Sequence, residues 1–207
     1  MPANKVPDIV VGRLPLYLRA LSQMARDGKE ITSSQELGGR LGISSAQIRK
    51  DLSQFGEFGK QGTGYNINFL MEQLKRILKV DRVWDIVLVG AGDLGTAVAN
   101  YRGFVDRGFR ITAIYDNDPA KAGQPVGQFL IRGTGNLTEE IRTQKIKVAM
   151  LAVPASEAQE VSEKLVKAGI EAIMCYAPTS LFVPDNVRVQ YIDPVLHLQH
   201  MTYYLPE

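Results

Sequence analysis

The sequence predicts an α/β protein in three parts: an N-terminal winged-helix domain, a Rossmann-like domain with a parallel sheet, and a C-terminal helix. Three observations support this prediction. Apolar residues recur at helical spacing over the first 80 residues, a glycine-rich loop follows an apolar run near the middle of the chain, and strand and helix patterns then alternate. We place the domains at residues 1–80, 81–193 and 194–207.

The composition is that of a globular protein with one domain or two small ones. The 207 residues are 45% hydrophobic and 22% charged, which is enough to bury a core. The sequence has neither a run of about 18 apolar residues nor a signal-like N-terminus, so we expect a cytoplasmic protein that uses no membrane. The single cysteine, Cys175, excludes a disulfide framework and a cysteine-based zinc site. Its apolar neighbours favour a buried side chain over a redox-sensing thiol.

Positive charge is concentrated in the first domain. Residues 1–80 carry 12 Lys and Arg against 7 Asp and Glu, a net charge of +5, whereas residues 81–207 carry 12 against 15, a net charge of −3. Such an excess suits a polyanionic partner, although an ordinary solvated surface has the same composition. Whether these positive charges lie together on one surface therefore depends on the fold.

The N-terminal domain is predicted to contain a helix-turn-helix. Apolar residues at spacings of three and four predict a first helix over residues 8–26. Ser33 with Glu36, and Ser44 with Gln47, have the spacing of capping boxes. They predict two short helices separated by a glycine turn.

The second of these short helices has the side chains of a DNA recognition helix. Ile48 and Leu52 are expected to face inward, which leaves a donor-rich face in solvent. Arginine and lysine donate to guanine edges or phosphates, and glutamine pairs with adenine. A solvated helix face is the alternative interpretation. The residues predicted to contact DNA here are Ser44, Ala46, Gln47, Arg49, Lys50 and Ser53.

A glycine-rich segment after that helix predicts a wing. Four glycines lie within residues 56–64, and Phe58 and Tyr65 stand as strand residues on either side of Lys60. We expect a two-stranded hairpin whose Lys60 reaches the DNA backbone or a minor groove. A winged helix that contacts protein instead of DNA is the alternative. Asn68 is expected to cap a fourth helix.

The segment VLVGAGDLGTAVANY predicts a dinucleotide-binding loop between a strand and a helix. Gly90 allows the tight turn, Gly92 lets the backbone approach a pyrophosphate, and Gly95 permits close helix packing. The helix N-terminus supplies amide donors. Asp116 ends the second strand, where its carboxylate would accept hydrogen bonds from the ribose hydroxyls and repel a 2′-phosphate. The sequence therefore favours NAD(H) over NADP(H), with a cofactor site that comprises Gly90, Ala91, Gly92, Asp93, Leu94, Gly95 and Asp116.

The rest of this domain alternates strands and helices but offers no catalyst. The segments FLIRG, LTEEIRTQ, KVAMLAV, SEAQEVSEKLVKAG, AIMC and VRVQYI predict a parallel sheet with crossover helices. The only histidines are His197 and His200, and no Tyr-x-x-x-Lys pair occurs. A small NAD-dependent oxidoreductase is therefore the weaker hypothesis for the function. In a third hypothesis the protein binds DNA, but its ligand is another nucleotide, such as coenzyme A, instead of NAD(H).

The C-terminal segment 194–207 predicts a helix with more apolar surface than a solvent-exposed helix carries. We expect this helix to be swapped onto another subunit in a homodimer, and packing on its own Rossmann domain is the alternative. Two recognition helices related by a two-fold axis would read an inverted repeat in double-stranded DNA.

These motifs, in this order, resemble the bacterial Rex family of redox-sensing transcriptional repressors. The matching stretches are RLPLYLRAL, SSQELGGRLGISSAQIRKDLSQFGEFGKQGTGY, VGAGDLGTAVANYRGF and the AVP and YAP segments. The resemblance implies a homodimer that binds an inverted-repeat operator when NAD⁺ predominates and leaves it when NADH binds. It also implies that Tyr101, Val153 and Pro154 join the cofactor site. Finally, it implies that Arg19, Tyr101 and Asp193 contact one another across the domain and subunit boundary, differently in the two forms.

Overall fold

The computed structural model describes residues 6–59 and 63–206. The chain forms two compact units, Met1–Arg82 and Val83–Glu207. No helix within the described ranges is both long enough and apolar enough to cross a membrane.

The first unit is a small helical domain with a short two-stranded sheet. The three predicted helices over residues 8–53 are confirmed, the first of them with the predicted limits. Their apolar faces and that of a fourth helix meet in one core, which includes Leu14, Leu37, Ile48 and Leu70. The elements are α1 (Asp8–Arg26), β1 (Ile31–Thr32), α2 (Ser34–Leu41), α3 (Ser45–Ser53), β2 (Tyr65–Asn66) and α4 (Ile67–Ile77).

Side-chain caps fix where the two helices of the helix-turn-helix begin. The hydroxyl of Ser33 accepts from the Glu36 amide at 3.1 Å, and that of Ser44 accepts from the Gln47 amide at 3.2 Å. Gly42 ends α2 at φ 67°, in the left-handed region that favours glycine. The caps predicted from the serines are therefore present, and they set the turn that precedes α3.

Two details of the predicted wing and fourth helix are wrong. Phe58 lies in no strand, and its side chain packs against the core of the first unit. Tyr65 does lie in a strand, but this strand pairs antiparallel with β1, which precedes α2 in the chain. Asn66, rather than Asn68, caps α4 and accepts from the Phe69 amide at 2.9 Å, because the helix starts directly after β2. Lys60, the predicted wing contact, lies outside the described residues.

The second unit is the predicted α/β domain. Within residues 83–206 the strands form one seven-stranded sheet in the order β5-β6-β4-β3-β7-β8-β9, in which only the β5–β6 pair is antiparallel. The expected parallel sheet is therefore confirmed. Its elements are β3 (Trp84–Val89), α5 (Asp93–Ala99), β4 (Phe109–Asp116), β5 (Pro125–Val126), β6 (Phe129–Gly133), α6 (Leu137–Gln144), β7 (Val148–Leu151), α7 (Ala155–Ala168), β8 (Ala172–Cys175), β9 (Arg188–Tyr191) and α8 (Pro194–Thr202).

The central strand β3 is buried on both faces, as its continuous apolar run predicts. Val87 and Val89 belong to a core shared with α6 and α7, whereas Ile86 and Leu88 belong to a second core. This double burial holds the end of β3 firmly, and the glycine loop begins there.

Cys175 is fully buried at the end of β8, and burial raises the pKa of its thiol. Since the thiolate is the reactive form, we expect negligible alkylation by iodoacetamide at pH 7.5 in the native protein and complete alkylation in urea. Mass spectrometry would measure both, and the absence of any other cysteine makes the signal unambiguous. Rapid stoichiometric labelling of the native protein would contradict the buried, inert thiol.

Candidate functional site

The glycine loop between β3 and α5 has a geometry that only glycine satisfies at two of its three positions. Gly90 has φ 100°, and a Cβ placed there would lie 2.2 Å from the carbonyl oxygen of Ala152. A Cβ on Gly95 would lie 1.9 Å from the carbonyl oxygen of Gly90. A Cβ on Gly92 would meet no atom within 4 Å. The first and third glycines therefore serve the fold, while the second leaves open space at the start of α5.

A cleft of about 280 Å³ lies beside this loop. It is formed at the carboxyl ends of the parallel strands, where open α/β sheets bind their ligands. Five of the predicted cofactor residues line it: Gly90, Gly92, Asp116, Val153 and Pro154.

The other predicted cofactor residues lie around the loop or away from the cleft. Asp93 and Leu94 are exposed in the first turn of α5, and Gly95 is buried within that helix. Ala91 is buried in the loop. Tyr101 is half-exposed and lines a separate cavity of about 550 Å³, where its ring packs edge-on against Phe104.

Asp116 is hydrogen-bonded to the glycine loop. One carboxylate oxygen accepts from the Ala91 amide at 2.8 Å and from Lys121 Nζ at 3.2 Å, and the other accepts from the Asp118 amide at 2.9 Å. Burial opposes the charged form, but these two amides and the Lys121 ammonium hold the pKa of the Asp116 carboxyl below its ordinary value. The side chain is thus anionic, and it already has partners in the protein.

The structure adds cleft residues that sequence reasoning missed. Asp118 and Lys121 line the cleft from the loop after β4, and Glu157 lines it from the first turn of α7. The side-chain amide of Asn117 donates to Glu157 Oε2 at 3.0 Å and joins the two sides of the cleft. The segment DNDPAK gave a signal for the first two, because a second carboxylate and a lysine follow Asp116 closely. Glu157 gave none.

Replacement of Asp116 by alanine should affect the loop and the ligand together. Without the carboxylate the Ala91 amide loses its acceptor, so we expect NADH to bind about tenfold or more weakly, together with a smaller preference for NADH over NADPH. Fluorescence titrations with both nucleotides would measure this change. Unchanged selectivity would remove the ribose contact assigned to Asp116.

Helix α3 presents most of the predicted DNA-binding side chains to solvent. Arg49 is exposed and donates to the hydroxyl of Ser34 at 3.0 Å, which holds its guanidinium near the N-terminus of α2. Gln47 differs from the prediction, because it is half-buried and its amide donates to Asp51 Oδ1 at 2.7 Å. The predicted residues that are exposed are Ser44, Ala46, Arg49, Lys50 and Ser53.

Asp51 is a buried carboxylate that sequence reasoning missed. It accepts from Arg13 Nε at 2.6 Å, Arg13 Nη2 at 2.7 Å and the Tyr17 hydroxyl at 2.5 Å, and it is 0% exposed. Burial opposes its charge, but Arg13, Tyr17 and Gln47 hold the pKa of the Asp51 carboxyl below its ordinary value. Its spacing of three residues from the buried Ile48 was the available signal.

The three residues of the implied switch lie on different elements. Arg19 is exposed on α1, and Tyr101 follows α5. Asp193 caps α8, where its carboxylate accepts from the Val195 amide at 2.9 Å. The contacts among these three side chains stay a prediction.

Helix α8 and the residues after it expose their apolar side chains. None of the residues of α8 is buried, so packing against the Rossmann domain of the same chain does not cover them. The apolar residues that are more than half exposed are Val195, Leu196, Leu198, Met201, Tyr203, Tyr204 and Leu205.

Two family models match the chain, one in each unit. Residues 5–53 match the family described as "Putative DNA-binding protein N-terminus", and residues 81–179 match the family described as "CoA binding domain". The first match includes α3, and the second includes the glycine loop.

Curated relatives that match nearly the whole chain are named as Rex repressors. The redox-sensing transcriptional repressor Rex of Chloroflexus aggregans is 50% identical over 203 residues, which cover 98% of this chain and 96% of that protein. Rex of a Roseiflexus species is 51% identical over 199 residues, 96% of this chain and 90% of that protein.

The crystal structure of RSP in complex with β-NAD⁺ and operator DNA is 35% identical to this chain, with a TM-score of 0.91, and covers 96% of this chain and 91% of RSP. RSP in complex with β-NADH is 33% identical, with a TM-score of 0.88 over 97% and 94% of the two chains. RSP is a Rex-family repressor. With half of its residues identical to those of Rex repressors along almost its entire length, the chain belongs to the Rex family of redox-sensing transcriptional repressors.

Proposed function

We propose that the protein is a transcriptional repressor that binds an inverted-repeat operator as a homodimer and leaves it when NADH binds. The observation that carries the proposal is the presence, in one Rex-family chain, of an exposed basic face on α3 and a glycine-lined nucleotide cleft. The protein is a regulator rather than an enzyme, because relatives that match the whole chain are named as repressors. We assign it to the cytoplasm, where a regulator of genes in a bacterium meets both DNA and NADH.

The cleft suits NAD(H) in shape and charge. The open space at Gly92 would admit a pyrophosphate close to the backbone, and Val153 and Pro154 add apolar lining to the cleft. The carboxylates of Asp116 and Asp118 suit free ribose hydroxyls and disfavour a phosphate on the ribose. This charge also argues against coenzyme A, whose adenosine carries a ribose phosphate. When bound, NADH supplies the redox signal by its occupancy of the cleft, without hydride transfer.

The DNA-binding residues divide into two chemical kinds. Arg49 and Lys50 carry the positive charge that phosphates and guanine edges attract, and Lys60 would add a contact from the wing. The small residues Ser44, Ala46 and Ser53 allow α3 to approach the groove closely. In a dimer built on α8, two copies of α3 would enter successive major grooves about 34–36 Å apart.

NADH and operator would favour different arrangements of the same dimer. Arg19 and Asp193 form a strong directional pair when they meet, and the Tyr101 hydroxyl can compete for either partner. Because the coupling between two binding sites is reciprocal, operator must weaken NADH binding by the factor by which NADH weakens operator binding.

The proposal is tested by measuring operator affinity with NADH, with NAD⁺ and with neither. Fluorescence anisotropy at one fixed salt concentration would give the three dissociation constants, and we expect the weakest binding with NADH. Equal affinities in all three conditions would reject the sensor. Consumption of NADH by an added substrate would favour an oxidoreductase instead.

Lys50→Ala should weaken operator binding without changing the affinity for NADH. Loss of one phosphate or base contact is expected to cost about 1–3 kcal/mol and, for a phosphate contact, to lower the salt slope by about one. Lys75→Ala is the matched control, since Lys75 is exposed on α4 in the same unit. Equal effects of the two substitutions would indicate a general charge effect rather than a recognition helix.

A further inference from the structure

We propose that Gln47 is a positioning residue and not a reader of bases, and that Asp51, Arg13 and Gln47 together set how α3 is presented to DNA. This inference deepens the proposed function and rests on it. It replaces the simplest interpretation of Gln47, in which the side-chain amide pairs with adenine.

The first support is the way in which Asp51 joins α3 to α1. Two of the three guanidinium nitrogens of Arg13 donate to the carboxylate, Nε to Oδ2 and Nη2 to Oδ1, and the Tyr17 hydroxyl adds a third bond. Arg13 and Tyr17 lie on α1, while Asp51 lies on α3. A two-point pair between a guanidinium and a carboxylate fixes an angle as well as a distance. The rotation of α3 about its own axis is therefore tied to α1.

The second support is that Gln47 completes the same network. Its Nε2 donates at 2.7 Å to Asp51 Oδ1, the oxygen that also accepts from Arg13 Nη2. Pairing with adenine in two-point fashion requires both ends of the planar amide to face one base edge. An amide whose nitrogen points at Asp51 cannot do this at the same time.

The third support is the cost of releasing Gln47. Asp51 is fully buried and anionic, and a buried charge is destabilised whenever one of its hydrogen-bond donors leaves. Gln47 and Asp51 are four residues apart on one helix, so they share a face, and Lys50 projects next to it. The network thus holds the turn of helix that carries Lys50 in one orientation.

The test compares operator variants with protein variants. Affinities would be measured for the operator and for half-sites with each base pair replaced in turn, using the native protein, Gln47→Ala and the volume-matched Gln47→Met. We expect both variants to bind every operator about 3- to 10-fold more weakly, with the order of base preferences unchanged. Relaxed discrimination at a single A·T pair, with the other positions unaffected, would overturn the inference.

A double-mutant cycle makes the test independent of any single variant. Gln47→Ala and Asp51→Asn remove the same link, so the double variant should bind operator no more weakly than Asp51→Asn alone, whereas additive losses would contradict the inference. Thermal unfolding verifies that each variant is folded, and Gln47→Ala, at a half-exposed position, provides the measurement if Asp51→Asn unfolds. Failure of the native protein to bind operator at all would instead reject the proposed function.

Discussion

Gly92→Ala should abolish most NADH binding and leave the protein as stable as the native chain, whereas Gly95→Ala should damage both. The backbone at Gly92 has φ −77°, which alanine adopts readily, and its Cβ would point into open space. That space is where the pyrophosphate must approach. The added methyl group would keep the pyrophosphate from the backbone amides. Each hydrogen bond to a charged group that is lost in this way costs about 1.5–3 kcal/mol, which is roughly ten- to hundredfold in affinity per bond.

Gly95→Ala is the matched comparison, because the added methyl group is the same. Here the Cβ would lie 1.9 Å from the Gly90 carbonyl oxygen, so backbone must move and about 1–3 kcal/mol of stability should be lost. Circular dichroism gives the unfolding temperatures, and quenching or enhancement of NADH fluorescence gives the affinities. Native NADH affinity in Gly92→Ala would show that the pyrophosphate does not pass this point.

Arg13→Met should destabilise the first unit by about 3–5 kcal/mol, because it leaves the buried Asp51 carboxylate without its counter-charge. Arg40→Met is the control, since Arg40 pairs with Asp27 at 3.3 Å on the surface, where water and salt screen the pair. Urea unfolding, with hydrogen exchange of the α1 and α3 amides, would separate this unit from the second. Equal effects of the two substitutions would contradict a buried, structural role for Asp51.

The difference between native protein and Arg13→Met should also depend on pH. The pKa of Asp51 is lowered on folding, so its contribution is complete above the ordinary carboxyl pKa of about 4 and is lost as the pH falls through the lower folded value. The stability gap should therefore be largest where Asp51 is ionised in both proteins and shrink on acidification, as the carboxylate of Arg13→Met takes up its proton before that of the native protein. A gap that grows on acidification would have the wrong sign for this network.

Local patterns predicted the elements of this fold well, and long-range pairing explains what they missed. The limits of α1 and α6 follow from apolar periodicity, and the strands of the second unit follow from continuous apolar runs between turns. The pairing of β2 with β1 joins segments more than 30 residues apart, so the glycines near Phe58 could not reveal it.

The candidate sites divide in the same way. The glycine loop is contiguous in sequence, and its turn geometry is encoded by its own residues. Asp51 acquires its role from Arg13, which lies 38 residues earlier, and Glu157 reaches the cleft beside Asn117, which lies 40 residues earlier. No local sequence pattern reveals a contact between residues this far apart in the chain. The contact of Gln47 with Asp51 was not foreseen for the same reason, because the side chain was expected to project outward from α3.

The apolar surface of α8 has a consequence for how the working repressor accumulates in a cell. A single folded chain would expose seven large apolar side chains to water near its C-terminus, and such a surface favours aggregation with other apolar surfaces. In the proposed homodimer, newly synthesised copies would have to meet before this surface is covered. The supply of the proposed dimer would then rise more steeply than the supply of its messenger RNA, since pairing depends on the square of the concentration.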